Sequence, residues 1–187
     1  MKKVLSIFWE FIQVIAISLI IIIPVRYYIV QPFFVKGASM ENSFRDGDYL
    51  IIDELSYHLR TPKRGEVVVF RYPNDPSQFY IKRIIGLPGE TVQVADGQIY
   101  IKNNEHPEGF VLNENDYLET ETTPGNVIKT LGVKNYFVMG DNRFHSYDSR
   151  GWGELDRKLI IGKVLFRVWP IKQAMAFGLP QYGITGN

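Results

Sequence analysis

The chain contains no cysteine. Thiol nucleophiles, disulfides and thiolate metal sites are therefore excluded, while the redox compartment stays open. It also has no excess of either charge. Its 21 basic and 20 acidic side chains leave a formal net charge of +1, and basic residues occur only in short pairs such as Lys2-Lys3 and Lys63-Arg64. Nucleic acid is not a partner that such a balance suggests. No HExxH segment is present, and Asp141 and Asp148 do not have EF-hand spacing, so no metal site is expected. No internal repeat is evident. What is present is 187 residues, 45% hydrophobic and 14% aromatic, enough for one modest domain with an appendage.

The appendage is the apolar run from Val4 to Ile23. As a helix it would be about 30 Å long, the thickness of one hydrocarbon core. Glu10 and Gln13 oppose this, because an acidic group at mid-bilayer costs about 3 kcal/mol, although Glu10 lies in the first half and can reach towards the interface. A cleaved secretory signal is the main alternative, but the bulky Pro24-Val25-Arg26-Tyr27-Tyr28 offers no small-x-small site. An amphipathic interfacial helix is the third reading. We expect residues 1–28 to form a cytoplasmic start and a single uncleaved transmembrane anchor. Lys2 and Lys3 outweigh Arg26, which keeps the amino terminus cytoplasmic and the rest extracytoplasmic, with Tyr27, Tyr28, Phe33 and Phe34 near the interface.

Beyond the anchor the periodicity is that of strands: Tyr49–Asp53, Glu66–Tyr72, Phe79–Ile85, Thr91–Ala95, Gln98–Lys102, Lys134–Met139 and Gly162–Trp169. Their alternation and β-branched content predict a mainly β domain over residues 29–175. Asp96-Gly97 between two alternating runs predicts a two-residue hairpin. Residues 103–132 are polar and contain Pro107, Pro124 and Gly125, and read as an excursion or small subdomain outside the core. Residues 176–187 read as a flexible tail.

Three segments bear on chemistry. Lys82 lies in a strand and shares a face with Tyr80 and Ile84. A lysine has a reference pKa of about 10.4, and burial lowers it by up to about 3 to 5 units, so a buried Lys82 is a possible base and an edge lysine merely snorkels. Ser39, in Gly37-Ala38-Ser39-Met40, is a nucleophile if its backbone is closely approached, and otherwise a turn residue. The loop from Gly140 to Gly153 is polar and directly follows a strand, as binding loops do. Its plainer reading is a solvated turn with an exposed Asp148–Arg150 pair worth about 0 to 1 kcal/mol. Histidine is the ordinary competitor for base. His58 and His106 lie in no motif, while His145 adjoins Ser146.

Gly37-Ala38-Ser39-Met40, then Tyr80-Ile81-Lys82-Arg83-Ile84-Ile85-Gly86-Leu87-Pro88-Gly89-Glu90, then Gly140-Asp141-Asn142-Arg143 through Ser146, Asp148, Ser149, Arg150 and Trp152-Gly153 together resemble the type I signal peptidases, peptidase family S26. Arg64-Gly65-Glu66-Val67-Val68-Val69-Phe70 and the amino-terminal run extend the resemblance over nearly the whole chain. It implies a signal-peptidase-like β-barrel or sheet domain behind one transmembrane helix, with an apolar surface resting on the membrane. It also implies a serine endopeptidase that removes signal peptides from translocated precursors, preferring small residues at the first and third positions before the cut.

By that resemblance Ser39 is the nucleophile, beside Met40, and Lys82 is the general base. Ser146 hydrogen-bonds and orients the lysine, and Arg83, Asp141, Asp148 and Arg150 hold the loop, the last two as an ion pair. The oxyanion would be bound by the Ser39 backbone N–H and a second donor not identified. Gly37 stands where some members supply a serine hydroxyl, and Asn42 where the family commonly has proline, which removes a fixed φ from the loop. Lysine at position 82, in place of the histidine of the endoplasmic-reticulum branch, indicates the bacterial or organellar type. No cofactor and no metal are required. The expected partners are secretory precursors and membrane lipid, and the chain is expected to act as a monomer at the cell membrane. A self-cleaving repressor-like or organellar Ser-Lys peptidase, or a non-catalytic membrane-tethered β-domain, are the alternatives.

Overall fold

The computed structural model describes residues 2–28, 31–41, 43–118, 122–180, 182 and 184–185. Helix α1 (Lys2–Tyr28) precedes β1 (Gln31–Phe34) and β2 (Tyr49–Asp53), and a helical turn, α2 (Ser56–Leu59), leads to β3 (Val67–Tyr72) and β4 (Asp75–Gly86). Then follow β5 (Thr91–Ala95), β6 (Gln98–Lys102), β7 (Phe110–Leu112), β8 (Val127–Thr130) and β9 (Asn135–Met139). A second helical turn, α3 (Ser149–Trp152), is followed by β10 (Leu155–Asp156), β11 (Ile160–Trp169), β12 (Met175–Ala176) and β13 (Ile184–Thr185). Two sheets result. One runs β1-β2-β11-β3-β4-β9-β10 with β12 on β11, and the other runs β13-β7-β6-β5-β8; every pairing is antiparallel.

The mainly β fold follows from the alternation in the sequence. In β3, Val67 and Val69 join Met40, Phe44, Leu50 and Ile52 on one face of the large sheet. Val68 and Phe70 point the other way, to Ile84, Tyr136 and Val138, which makes β3 an unbroken apolar run buried on both sides. A third cluster joins the sheets, with Val92, Val94, Ile99 and Ile101 of the small sheet against Ile85, Phe137 and Met139 of the large one. Asp96 and Gly97 both take positive φ, 51° and 79°, the requirement of the tight hairpin turn between β5 and β6.

Two expectations are corrected. The polar stretch 103–132 is not outside the core: it supplies β7 and β8 to the small sheet, and its Leu112 and Leu131 are buried. Each strand is too short to show a periodicity of its own. The carboxy-terminal residues expected to be a flexible tail are docked where they are described. Phe177 packs on Phe44 with ring centroids 4.3 Å apart, and β13 pairs with β7.

Among the described residues no helix is long and apolar enough to cross a membrane. The side chains described on α1 are those of residues 7–20 and 22, a shorter stretch than a crossing needs. All of them are exposed, including Ile7, Phe11, Val14, Ile17 and Ile20. The side chains of Lys2, Lys3, Arg26, Tyr27 and Tyr28, on which the expected orientation rests, lie outside the described residues, as does Asn42.

Phe44 is fully buried and is the point where the tail meets the large sheet. Phe44→Ala should lower the unfolding free energy by about 3 to 5 kcal/mol, seen as a lower denaturant midpoint of the full chain in detergent. A loss below about 1 kcal/mol would mean that the Phe44–Phe177 contact is not part of the core.

Candidate active site

Ser39 lies in the connection between β1 and β2. Val35 and Asp48 pair through their backbones (2.9 Å), and Gly37, at φ +88°, donates its N–H to the Asp46 carboxylate at 2.7 Å. That left-handed conformation favours glycine, so the residue that removes a side-chain hydroxyl from position 37 also makes the turn. Met40 and Phe44 then bury themselves on the large sheet, and the Phe44 N–H donates to the Met40 carbonyl at 2.7 Å. Ser43, next to the position where proline is missing, is fixed by two arginines. Arg83 Nη2 donates to its hydroxyl at 3.2 Å and Arg167 Nη1 to its carbonyl at 3.0 Å.

Lys82 sits opposite Val68 in the β3–β4 ladder, one residue before β9 begins to pair with β4 at Arg83–Met139. Its residue is 3% exposed. The Nζ lies 2.5 Å from Ser39 Oγ and donates to the Ile81 carbonyl at 2.9 Å. Burial brings the Lys82 pKa down to about 8, against the opposing fields of Asp148 and Asp141 and with help from Arg150. At pH 7 about a tenth of such amines are neutral, against about one in a few thousand for a free lysine. Both side chains open onto a groove of about 680 Å³ whose walls include Phe33, Val35, Leu50, Val69 and Ile81.

Because β9 ends opposite Arg83, the loop that follows emerges beside Lys82. Gly140 is required by close approach. A Cβ there would collide with Ser146 Oγ and with the Ser39 carbonyl oxygen. Asn142 clamps the serine segment, its N–H donating to the Ser39 carbonyl (3.1 Å) and its Nδ2 to the Ala38 carbonyl (3.0 Å). The Asp141 N–H points at Met40 Sδ, 3.4 Å away. The Asp141 carboxylate takes both arms of Arg83, from Nε at 2.9 Å and Nη2 at 2.6 Å, with side chains only 6% and 0% exposed for Arg83 and Asp141.

Asp148 and Arg150 do not form a solvated pair. Arg150 Nε and Nη2 each donate to the fully buried Asp148 carboxylate at 2.8 Å, and the Gly140 N–H adds a bond at 3.1 Å. Burial pushes the Asp148 carboxyl up, but the hydrogen bonds and charge of Arg150 outweigh it and hold the group below the usual carboxylate range. Ser146 packs against Gly140, and its hydroxyl is among the groups that hold the Asp148 carboxyl down. Among the described residues no hydrogen bond joins Ser146 to the lysine, whose amine meets Ser39 Oγ and the Ile81 carbonyl. His145 shares a hydrogen bond with Asn142 Oδ1 (3.2 Å), and the His106 ring stands edge-on to Phe110. Among the described residues no histidine bonds to Ser39, and none of the His, Asp and Glu side chains cluster in a way that could hold a metal.

The segments that carry Ser39, Lys82 and the loop are thus brought together, with Met40, Arg83, Asp141, Asp148 and Arg150 around them. Asn142 and Arg143 are functional positions for which the sequence carries no expectation of their own. Both stand in the quoted Gly140-Asp141-Asn142-Arg143 motif, and an amide-bearing side chain in a loop is a ready donor to backbone carbonyls.

Residues 8–169 match the family model described as signal peptidase, peptidase S26. A signal peptidase I of Leptolyngbya laminosa is 34% identical over 179 residues, covering 91% of this chain and 84% of that protein. Signal peptidase IB of Staphylococcus aureus is 34% identical over 185 residues, covering 92% and 94%. A crystal structure of a signal peptidase I from Enterococcus faecalis, 30% identical, aligns with a TM-score of 0.45 over 56% of this chain and 97% of that one.

Removing Arg150 would strand the Asp148 carboxylate in the interior. Arg150→Ala should cost about 3 to 5 kcal/mol at pH 7. A depressed carboxyl pKa contributes stability above its unfolded value that is lost as pH falls, so the difference between wild type and variant should narrow from pH 7 to about pH 4 as Asp148 protonates in the variant. Denaturant unfolding at the two pH values measures it, and an equal loss at both would contradict the assignment.

Proposed function

Because the chain belongs to the signal peptidase family, peptidase S26, and is a serine endopeptidase that cleaves signal peptides from precursor proteins, we propose that Ser39 is its nucleophile and Lys82 its general base. The observation that carries this reading is the 2.5 Å contact between Ser39 Oγ and a buried amine whose pKa lies near 8. Neutral Lys82 takes the Ser39 proton as Oγ attacks the scissile carbonyl, and the resulting ammonium returns that proton to the leaving amine. The ester left on Ser39 is then hydrolysed by a water that Lys82 deprotonates, which releases the carboxylate and restores the serine. The Ser39 N–H, without a hydrogen-bond partner among the described residues, is the proposed oxyanion donor. Arg83, Asp141, Asp148, Arg150, Met40 and Ser146 support the dyad through packing and charge.

The cleaved segment binds extended in the groove between β1 and the free edge of β4, by strand addition. Two features support work at a membrane surface. The described side chains of α1 are apolar almost all round and exposed, which suits a lipid environment; on this reading α1 is a single-pass anchor with its amino terminus cytoplasmic and the catalytic domain extracytoplasmic. Phe34, Phe166, Trp169, Ile171 and Met175 are exposed on and around β1, β11 and β12, and would rest on the same lipid. The chain acts as a monomer, and its catalytic domain joins to residues 29–175 the docked Phe177 and β13.

Cleavage of a synthetic signal-peptide junction by the full chain in detergent tests the dyad. Ser39→Ala and Lys82→Ala should each lower kcat/KM on the order of 1,000-fold or more. Since the base is the neutral amine, kcat/KM of the wild type should rise about tenfold per pH unit below about 8 and level off above it. Wild-type cleavage by Lys82→Ala, or a limb governed by a pKa near that of a histidine, would sink the assignment.

A further inference from the structure

Three arginines grip the active-site loop, and each is held on its other side by the polar stretch that interrupts the two sheets. Arg143 donates from Nε to the Gly140 carbonyl (3.1 Å), the residue against which Ser146 and the Ser39 carbonyl pack. Its Nη1 and Nη2 close a bidentate pair with Glu114 at 2.5 and 2.6 Å, and Nη1 also reaches Thr123 Oγ1 at 2.6 Å. This pair is buried, the Arg143 side chain 1% and the Glu114 side chain 9% exposed. Arg150 donates from Nη1 to the Pro124 carbonyl at 2.8 Å. The Arg83 guanidinium lies 3.9 Å from the centre of the Tyr117 ring, and the Tyr117 hydroxyl in turn donates to Glu114. Glu114 therefore joins the Arg143 and Arg83 arms of the loop, through a direct ion pair and through Tyr117.

We propose that Glu114, acting through Arg143 on the Gly140 carbonyl and through Tyr117 on Arg83, is a positioning residue for the Ser39–Lys82 pair. The inference rests on the dyad reading above. Glu114 touches neither reacting atom. Its carboxylate fixes the arginine that fixes Gly140, and Gly140 to Asn142 carry the contacts to the carbonyls of Ala38 and Ser39. A plain stabilising ion pair would need no such chain. A buried bidentate pair is, on its own, weak evidence for stability, because an apolar replacement of both partners is often neutral or better. What an apolar replacement cannot supply is the hydrogen bond to Gly140.

The test compares the full chain in detergent with Glu114→Gln, with the apolar double variant Glu114→Leu/Arg143→Met, and with Ser39→Ala. Each is assayed for kcat and KM on a synthetic signal-peptide junction and for Tm. Glu114→Gln should lower kcat on the order of tenfold to a hundredfold, with KM changed by less than about twofold, because misplaced reacting groups lose rate before they lose binding. The double variant should recover the Tm lost by Glu114→Gln without recovering kcat. It also keeps the question answerable if Glu114→Gln fails to fold. Recovery of both Tm and kcat in the double variant, or a wild-type kcat in Glu114→Gln, would overturn the positioning role. Ser39→Ala separates the two claims. An active Ser39→Ala overturns the dyad itself, whereas an inactive Ser39→Ala beside a fully active Glu114→Gln overturns only the part assigned to Glu114.

Discussion

An amine buried against a serine hydroxyl, its proton held less tightly than a free lysine's, is the constraint that the surroundings answer. Asp148 and Asp141 both act to reprotonate Lys82. An unpaired carboxylate within about 5 Å of it would contribute on the order of 3 kcal/mol at an effective dielectric constant of about 20, roughly two pKa units, enough to undo most of what burial achieves. Both carboxylates are instead matched by a two-armed arginine, Arg83 on Asp141 and Arg150 on Asp148. Arginine suits this place because its planar fork covers both carboxylate oxygens and stays charged at any working pH. With each carboxylate paired, desolvation is left as the largest influence on the amine, ahead of the fields of Asp148 and Asp141.

That pairing explains why the site is assembled from three distant segments. The serine itself brings no charge, and its segment is held through the carbonyls of Ala38 and Ser39 and through the buried Met40 and Phe44. The β4 strand supplies the amine and the first arginine at adjacent positions, so their side chains leave the strand on opposite faces. The loop after β9 supplies both carboxylates and the second arginine. Pairing of β4 with β9 stops at Arg83, which leaves an open strand edge beside Lys82 and brings the loop to the same spot. One register therefore sets both the groove and the charge balance.

Much of this was legible in the sequence wherever a single segment carried the signal. The β3 run, the Asp96-Gly97 hairpin and the strand that contains Lys82 announce themselves by alternation, β-branching and turn chemistry. What was illegible depended on partners far away in the chain. Glu114 and Tyr117 occur in a polar stretch that reads as solvated, because nothing local shows that arginines from elsewhere will meet them. Short β7 and β8 carry too few residues to show a period of two. The Asp148–Arg150 pair is expected from the resemblance, but its burial is not legible locally, since packing confers it and not the neighbours in sequence. Phe177 reads as part of a tail because Gly178, Pro180 and polar residues follow it, yet its ring packs on Phe44, its N–H donates to the Leu165 carbonyl, and β13 pairs with β7.

Neutralising Lys82 works against folding. A lysine whose pKa falls from 10.5 to about 8 on folding destabilises the native state by about 3 kcal/mol at any pH well below 8, an effect that fades as pH rises from about 8 to above 10. Against a total stability of about 5 to 15 kcal/mol, that is a large fraction. The offset has to come from groups that do not restore the proton to the amine. Apolar packing on both faces of β3 meets that condition, and so do arginine–carboxylate pairs closed on themselves. A free carboxylate placed to stabilise Lys82 directly would stabilise the fold and raise the pKa of the amine again. Stability and chemistry are therefore separable here only because each buried carboxylate beside the lysine already has an arginine of its own.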